Sequence, residues 1–178
     1  MNNALYMVYG GYYGKDSMNG SINLIELSPK TGLLKQASKH NDAGVAISTL
    51  HGKTQFNSGT LLAAPGKLSM FSKSKNMVSA PQIVYNEKTG YYYLFVTYGY
   101  DKTNYSIRVG RSKAIEGPYT DYNGASLADS SSGQYKKGFL LMNGYNFVNS
   151  SEGSVSYTDV GRASIGSPKI IKSADGTW

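Results

Sequence analysis

The sequence has no cysteine, so it holds no disulfide framework, no thiolate nucleophile and no thiolate metal site, and the redox compartment stays open. Histidine is scarce: His40 and His51 are the two, neither has a second or third ligand at metal spacing, and both read as loop histidines. No stretch approaches roughly 18 apolar residues in a row, and the opening Met1-Asn-Asn-Ala-Leu-Tyr6 lacks the charged start and apolar run of a signal peptide. The chain itself therefore shows no export or membrane signal, and no membrane partner is expected. Charged residues make up only 16% against 40% hydrophobic, a balance that argues against a disordered tail. The formal net charge of +7 invites a nucleic-acid reading. Against it, the lysines are scattered, the densest groups being Lys67, Lys73 and Lys75, then Lys136 and Lys137, and no RNP-like, helix-turn-helix or zinc-finger pattern occurs. No nucleic-acid partner is expected; weak, salt-sensitive attraction to an acidic polysaccharide such as pectin is.

The sequence is rich in 16 Tyr and 21 Gly, set against 5 Pro and one Trp. That mixture favours strands joined by tight turns, hence an all-β class. An internal repeat sharpens this. Leu5-Tyr-Met-Val-Tyr-Gly-Gly-Tyr12 leads through a short polar loop to Ser21-Ile-Asn-Leu-Ile-Glu-Leu-Ser28. In a second copy Tyr92-Tyr-Leu-Phe-Val-Thr-Tyr-Gly99 leads to Ser106-Ile-Arg-Val-Gly-Arg-Ser112, an offset of 85 between Ser21 and Ser106. A third copy opens late: Ser79-Ala-Pro-Gln-Ile-Val-Tyr-Asn-Glu-Lys-Thr-Gly90 has the shape of Ser167-Pro-Lys-Ile-Ile-Lys-Ser-Ala-Asp-Gly176, with 87 between the prolines.

Each unit reads as a strand, a turn ending in glycine, a Tyr-rich strand, a polar loop and a third strand, which is a propeller blade in outline. The blade-like units span about 1–78, 79–165 and 166–178. A fourth strand has to fit within the long Gly/Ser/Asn segments Lys35 to Lys75 and Gly117 to Tyr157, where strand signals are weak. By analogy between copies, the first unit lacks its opening strand and the third stops as its long strand begins. The expectation is a partial propeller cut at both ends, whose partners include the missing blades.

The run Ser79 to Gly99, with Asn104-Tyr-Ser-Ile-Arg-Val-Gly-Arg-Ser-Lys113 and Glu116-Gly-Pro-Tyr119, resembles the third blade of the arabinan endo-1,5-α-L-arabinanases of glycoside hydrolase family 43. Leu5-Tyr-Met-Val-Tyr-Gly10 and Leu27-Ser-Pro-Lys-Thr-Gly32 resemble the second blade, so the likeness covers roughly three fifths of the chain. It implies a five-bladed propeller whose groove crosses the axis, cleavage of α-1,5-linked arabinan with inversion, and arabinan or pectic polysaccharide as partner. Inversion needs a general base and a general acid roughly 6.5 to 9.5 Å apart. Family members are often secreted; the localisation of this chain stays open.

Carried over by residue, the resemblance puts the base and the aspartate that tunes the acid upstream of Met1. The acid is a glutamate two residues before the proline that opens the third blade, a place held here by Ser79, whose hydroxyl cannot donate a proton near neutral pH as a tuned carboxylic acid does. The family's axial histidine, which holds a metal ion such as calcium, falls on Ser167. Ser79 and Asp159 are thus the candidate catalytic positions, Asp159 as an inward-facing carboxylate just before Val160-Gly-Arg. Gln82 and Ser167 are the candidate substrate-binding ones, and no metal ligand is assigned.

Blander readings stand beside these. Ser79 also suits a polar strand opener, the tyrosines suit blade core better than sugar platforms, and Glu116 falls in a turn. Two functions remain: part of an arabinan hydrolase inactive as an isolated chain, or a carbohydrate-binding propeller that has shed its acid.

Overall fold

The computed structural model describes residues 4–12, 20–33, 35, 47–50, 53–56, 59–66, 77–99, 105–129, 131, 137–151, 154–162 and 164–177. Among them are eleven strands and no helix: β1 (Leu5–Tyr12), β2 (Gly20–Leu27), β3 (Ile47–Leu50), β4 (Lys53–Phe56), β5 (Thr60–Ala63), β6 (Val78–Asn86), β7 (Tyr91–Tyr98), β8 (Ser106–Ser112), β9 (Phe139–Asn143), β10 (Tyr145–Ser151) and β11 (Ser154–Arg162). His40, His51, Lys67, Lys73, Lys75 and Lys136 lie outside the described residues. No described helix is long and apolar enough to cross a membrane.

The strands form a three-stranded sheet β1-β2-β5, a four-stranded sheet β6-β7-β8-β9, and the hairpins β3-β4 and β10-β11. The repeat is visible in the pairing. β1 runs antiparallel to β2 from Leu5 opposite Leu27 to Tyr12 opposite Gly20, and β7 pairs with β8 in the same way from Tyr92 opposite Ser112 to Tyr98 opposite Ser106. Each weak-signal segment contains the last strand of a sheet: β5 is the third strand of the first sheet and β9 the fourth of the second.

The β6–β7 turn is written in Asn86-Glu-Lys-Thr-Gly90. The Asn86 side-chain oxygen accepts the backbone N–H of Lys88 at 2.9 Å and of Thr89 at 3.3 Å. Gly90, at φ +65°, donates back to the Asn86 carbonyl at 2.8 Å. A left-handed residue closing the turn favours glycine, the residue without a Cβ penalty.

Leu94, Val96 and Tyr98 alternate along β7 and project from one face, as period-two strand geometry requires. They meet Ile22 and Leu24 of β2, Leu62 and Ala63 of β5, and Val78 of β6, while Tyr119 and Leu127 from the β8–β9 connection complete the cluster. The core thus lies between the two sheets, each apolar side chain contributing about 1.5–3 kcal/mol by burial. Lys137, read from sequence as part of a basic surface group, is instead fully buried here. Its Nζ donates to the Ala64 carbonyl at 3.2 Å and the Pro65 carbonyl at 3.5 Å. Burial pushes its pKa below the usual lysine value, with Asp129 holding it up against that.

The third unit departs from expectation. Residues 164–177 form no strand ladder, only a turn at Ala174-Asp175. A ladder needs a neighbour's N–H and C=O groups in register, and no described strand offers them to this segment. Side chains of the preceding sheet hold it instead.

Candidate functional site

The site grows from one irregularity in β6. Pro81 has no N–H to give to the ladder, and the register records the result: Ser79 faces Thr97 and Gln82 faces Phe95, so three steps on β6 match two on β7. This is a β-bulge, a device that re-aims side chains and is common beside active sites. Ala80 takes φ 48°, a left-handed conformation that a residue before proline normally avoids. Such strain costs on the order of 1–3 kcal/mol and persists only where its surroundings enforce it. The third unit repeats it, with Ser167 at φ 52° just before Pro168.

The two irregular points meet at Thr97. Its hydroxyl oxygen accepts the backbone N–H of Ser167 at 2.9 Å, while its partner across the ladder is Ser79. A Cβ on Gly166 would stand 2.9 Å from the Thr97 methyl carbon, so the segment passes this close only as glycine. Three residues on, Gln82 grips the same segment. Its Nε2 donates to the Ile170 carbonyl at 3.1 Å, and the Ile170 N–H donates to its Oε1 at 2.6 Å.

Ser79, Gln82 and Ser167 therefore gather where the start of β6 meets residues 166–170. Gln82 has both its amide nitrogen and its amide oxygen engaged by backbone. Asp159 lies elsewhere, in β11 opposite Phe147, on a hairpin separate from the sheet that carries Ser79. Glu116 sits in the turn after β8 and accepts the Tyr6 hydroxyl at 2.8 Å, tying the two sheets together. That hydrogen bond, reinforced by desolvation, pushes the Tyr6 pKa up to about 12.

The donors present do not fit an axial metal. The position that the resemblance gives to histidine carries the neutral hydroxyl of Ser167, and no three His, Cys, Asp or Glu side chains come together among the described residues. Thr97 was missed in the sequence because threonine in a Tyr-rich strand looks like any β-former; only the register against Ser79 singles it out.

Over 171 residues the chain is 30% identical to extracellular endo-α-(1→5)-L-arabinanase 2 of Bacillus subtilis strain 168, matching 90% of this chain and 30% of that protein. The endo-1,5-α-L-arabinanase of Thermotoga petrophila RKU-1 superposes with a TM-score of 0.53 at 28% identity, covering 80% of this chain and 27% of its own. A glycoside hydrolase family 43 protein from Bacillus licheniformis superposes at 0.51 with 25% identity, covering 81% and 28%. The chain is related to the arabinanases of glycoside hydrolase family 43. No protein-family profile matches it. It spans less than a third of the length of the curated arabinanases it matches.

The two sheets are accordingly blade-like, of the five-bladed β-propeller type found among family 43 arabinanases. Gln82 and Thr97 are the side chains that hold residues 167–170 against β6 and β7. Replacing Gln82 with leucine removes both bonds to Ile170. Amide exchange at Ile170 is expected to quicken by at least about 10-fold, with the β7–β8 amides unchanged, as read by hydrogen exchange. Unaltered exchange at Ile170 would mean that Thr97 alone holds the segment.

Proposed function

We propose that the chain is part of the catalytic-type propeller of a glycoside hydrolase acting on α-1,5-linked arabinan by inversion, and that as the 178-residue chain it does not hydrolyse its substrate. The hydrolase part rests on the kinship with the arabinanases; the inactivity rests on Ser79, which stands at the opening of β6 beside the strained Ala80, in the place that the resemblance assigns to the general acid. An inverting reaction needs a protonated acid at the leaving oxygen and a base at the attacking water, each contributing on the order of 100- to 10,000-fold. By the resemblance, the base belongs to another blade of the propeller. Ser79, Gln82 and Ser167 then line one side of the groove, with Gln82 acting mainly by fixing its wall.

A second reading keeps the groove but drops the chemistry: a propeller that holds arabinan or pectic side chains without cutting them. The serine at position 79 favours it. Incubation of the chain with linear arabinan tests the proposal, and no reducing ends above the blank are expected. Release of arabino-oligosaccharides that survives any substitution at Ser79 would move the reaction to another carboxylate, Asp159 being the first to replace.

A further inference from the structure

A second cleft of about 450 Å³ lies at the opposite end of the β6–β7 pair, lined among others by Tyr91, Arg111, Lys113, Asp121 and Tyr122. Six residue steps along β7 separate Tyr91 from Thr97, roughly 20 Å along an extended strand. Nothing in the arabinan reading uses this cleft.

Its chemistry is cationic and aromatic together. The Lys113 ammonium stands 3.6 Å from the centre of the Tyr91 ring and the Arg111 guanidinium carbon 4.7 Å from the same centre. Two positive charges sharing one ring repel each other, and among the described residues neither forms an ion pair with a carboxylate. Lys113 spends one donor on the Thr89 carbonyl at 3.1 Å. Asp121 is the acidic group in the wall, and its Oδ1 already accepts the N–H of Asn123 at 2.9 Å and of Ala125 at 3.0 Å. The wall is preformed: Arg111 and Thr120 exchange both backbone hydrogen bonds, at 2.9 and 3.0 Å. On its rim Tyr122 is 73% exposed, with its ring edge-on to Phe139 at 5.8 Å between centres.

We propose that this cleft binds a carboxylate-bearing sugar, a uronate residue of an acidic polysaccharide. The carboxylate meets Arg111 and Lys113, whose like charges it neutralises, and the apolar face of the sugar ring lies on Tyr122. An inorganic anion accounts for the cations but not for an exposed aromatic platform, nor for a cleft many times the roughly 30 Å³ that a water molecule occupies. A neutral pentose accounts for the platform but not for the cations.

Titration of the ¹⁵N-labelled 178-residue chain with trigalacturonate at low salt tests the inference. Amides of Arg111, Lys113 and Tyr122 are expected to shift with a dissociation constant of about 1 mM, and the shifts should fade at an ionic strength of roughly 0.5 M. Arg111→Gln, Lys113→Gln and Tyr122→Ala should each weaken binding at least about 5-fold, with β7–β8 resonances in place to show that the fold survives. Arabinotriose should leave these amides unmoved. Any response of its own falls near Ser79, so failure here and failure of the arabinan reading are read from different resonances. Trigalacturonate that shifts no cleft amide, phosphate that binds there as tightly, or Tyr122→Ala without effect would each overturn the proposal.

Discussion

Replacing Tyr98 with alanine is expected to cost about 3–5 kcal/mol, a large share of the 5–15 kcal/mol that holds a typical domain together. Tyr98 is fully buried at the junction of the two blades, packed with Ile22, Leu24, Leu62, Val96 and Tyr119. Its hydroxyl donates to the Ala64 carbonyl at 3.3 Å, and burial pushes its pKa upward, so it stays a donor through the neutral range. Phenylalanine at the same place keeps the ring and loses only the hydroxyl. The Ala64 carbonyl still receives Lys137, so Tyr98→Phe should cost about 1 kcal/mol. Urea unfolding of the two variants separates packing from hydrogen bonding. Equal losses would mean that the hydroxyl, rather than the ring, joins the blades.

Much of the fold was legible because the repeat is carried by strands with strong local signals. Leu94, Val96 and Tyr98 alternate with residues of the other face, and Asn86 to Gly90 spells its own turn, so β6, β7 and β8 follow from composition and spacing. β9 was harder, since Phe139-Leu-Leu-Met-Asn143 has no alternation and is exposed along its whole length. The β10–β11 hairpin is polar and Ser-rich, which blurs any period of two. The third unit has the residue pattern of β6 and yet no ladder, because strand pattern is a local property and pairing is not.

The site divides along the same line. Ser79 and Ser167 were legible from the residues before Pro81 and Pro168, and the structure adds that both prolines follow a left-handed residue. The sequence marks Gln82 as a candidate substrate residue; in the fold the backbone of Ile170, 88 residues away, engages its amide, a contact that no local pattern encodes. Lys137 misled for a similar reason: a Lys-Lys pair looks solvated until the carbonyls of Ala64 and Pro65 are brought to it by the fold.

The largest effect of all belongs to Ser79. It is half-buried, paired with Thr97 and followed by the bulge, and on the proposed reading a longer side chain there reaches into the substrate groove. In a complete propeller of the proposed kind, desolvation and the family's other carboxylates would raise the pKa of a glutamate there, so that it holds the proton a leaving oxygen needs. On the proposed reading the base comes from another blade, so the gain is expected only in a complete propeller. The decisive measurement is therefore turnover of linear arabinan by a complete propeller, with this chain replacing the matching stretch of the Bacillus subtilis arabinanase, compared with the same chimera bearing Ser79→Glu. The glutamate form should be faster by on the order of 100- to 10,000-fold. Equal turnover of the two folded chimeras would contradict the placement of Ser79 at the general-acid position.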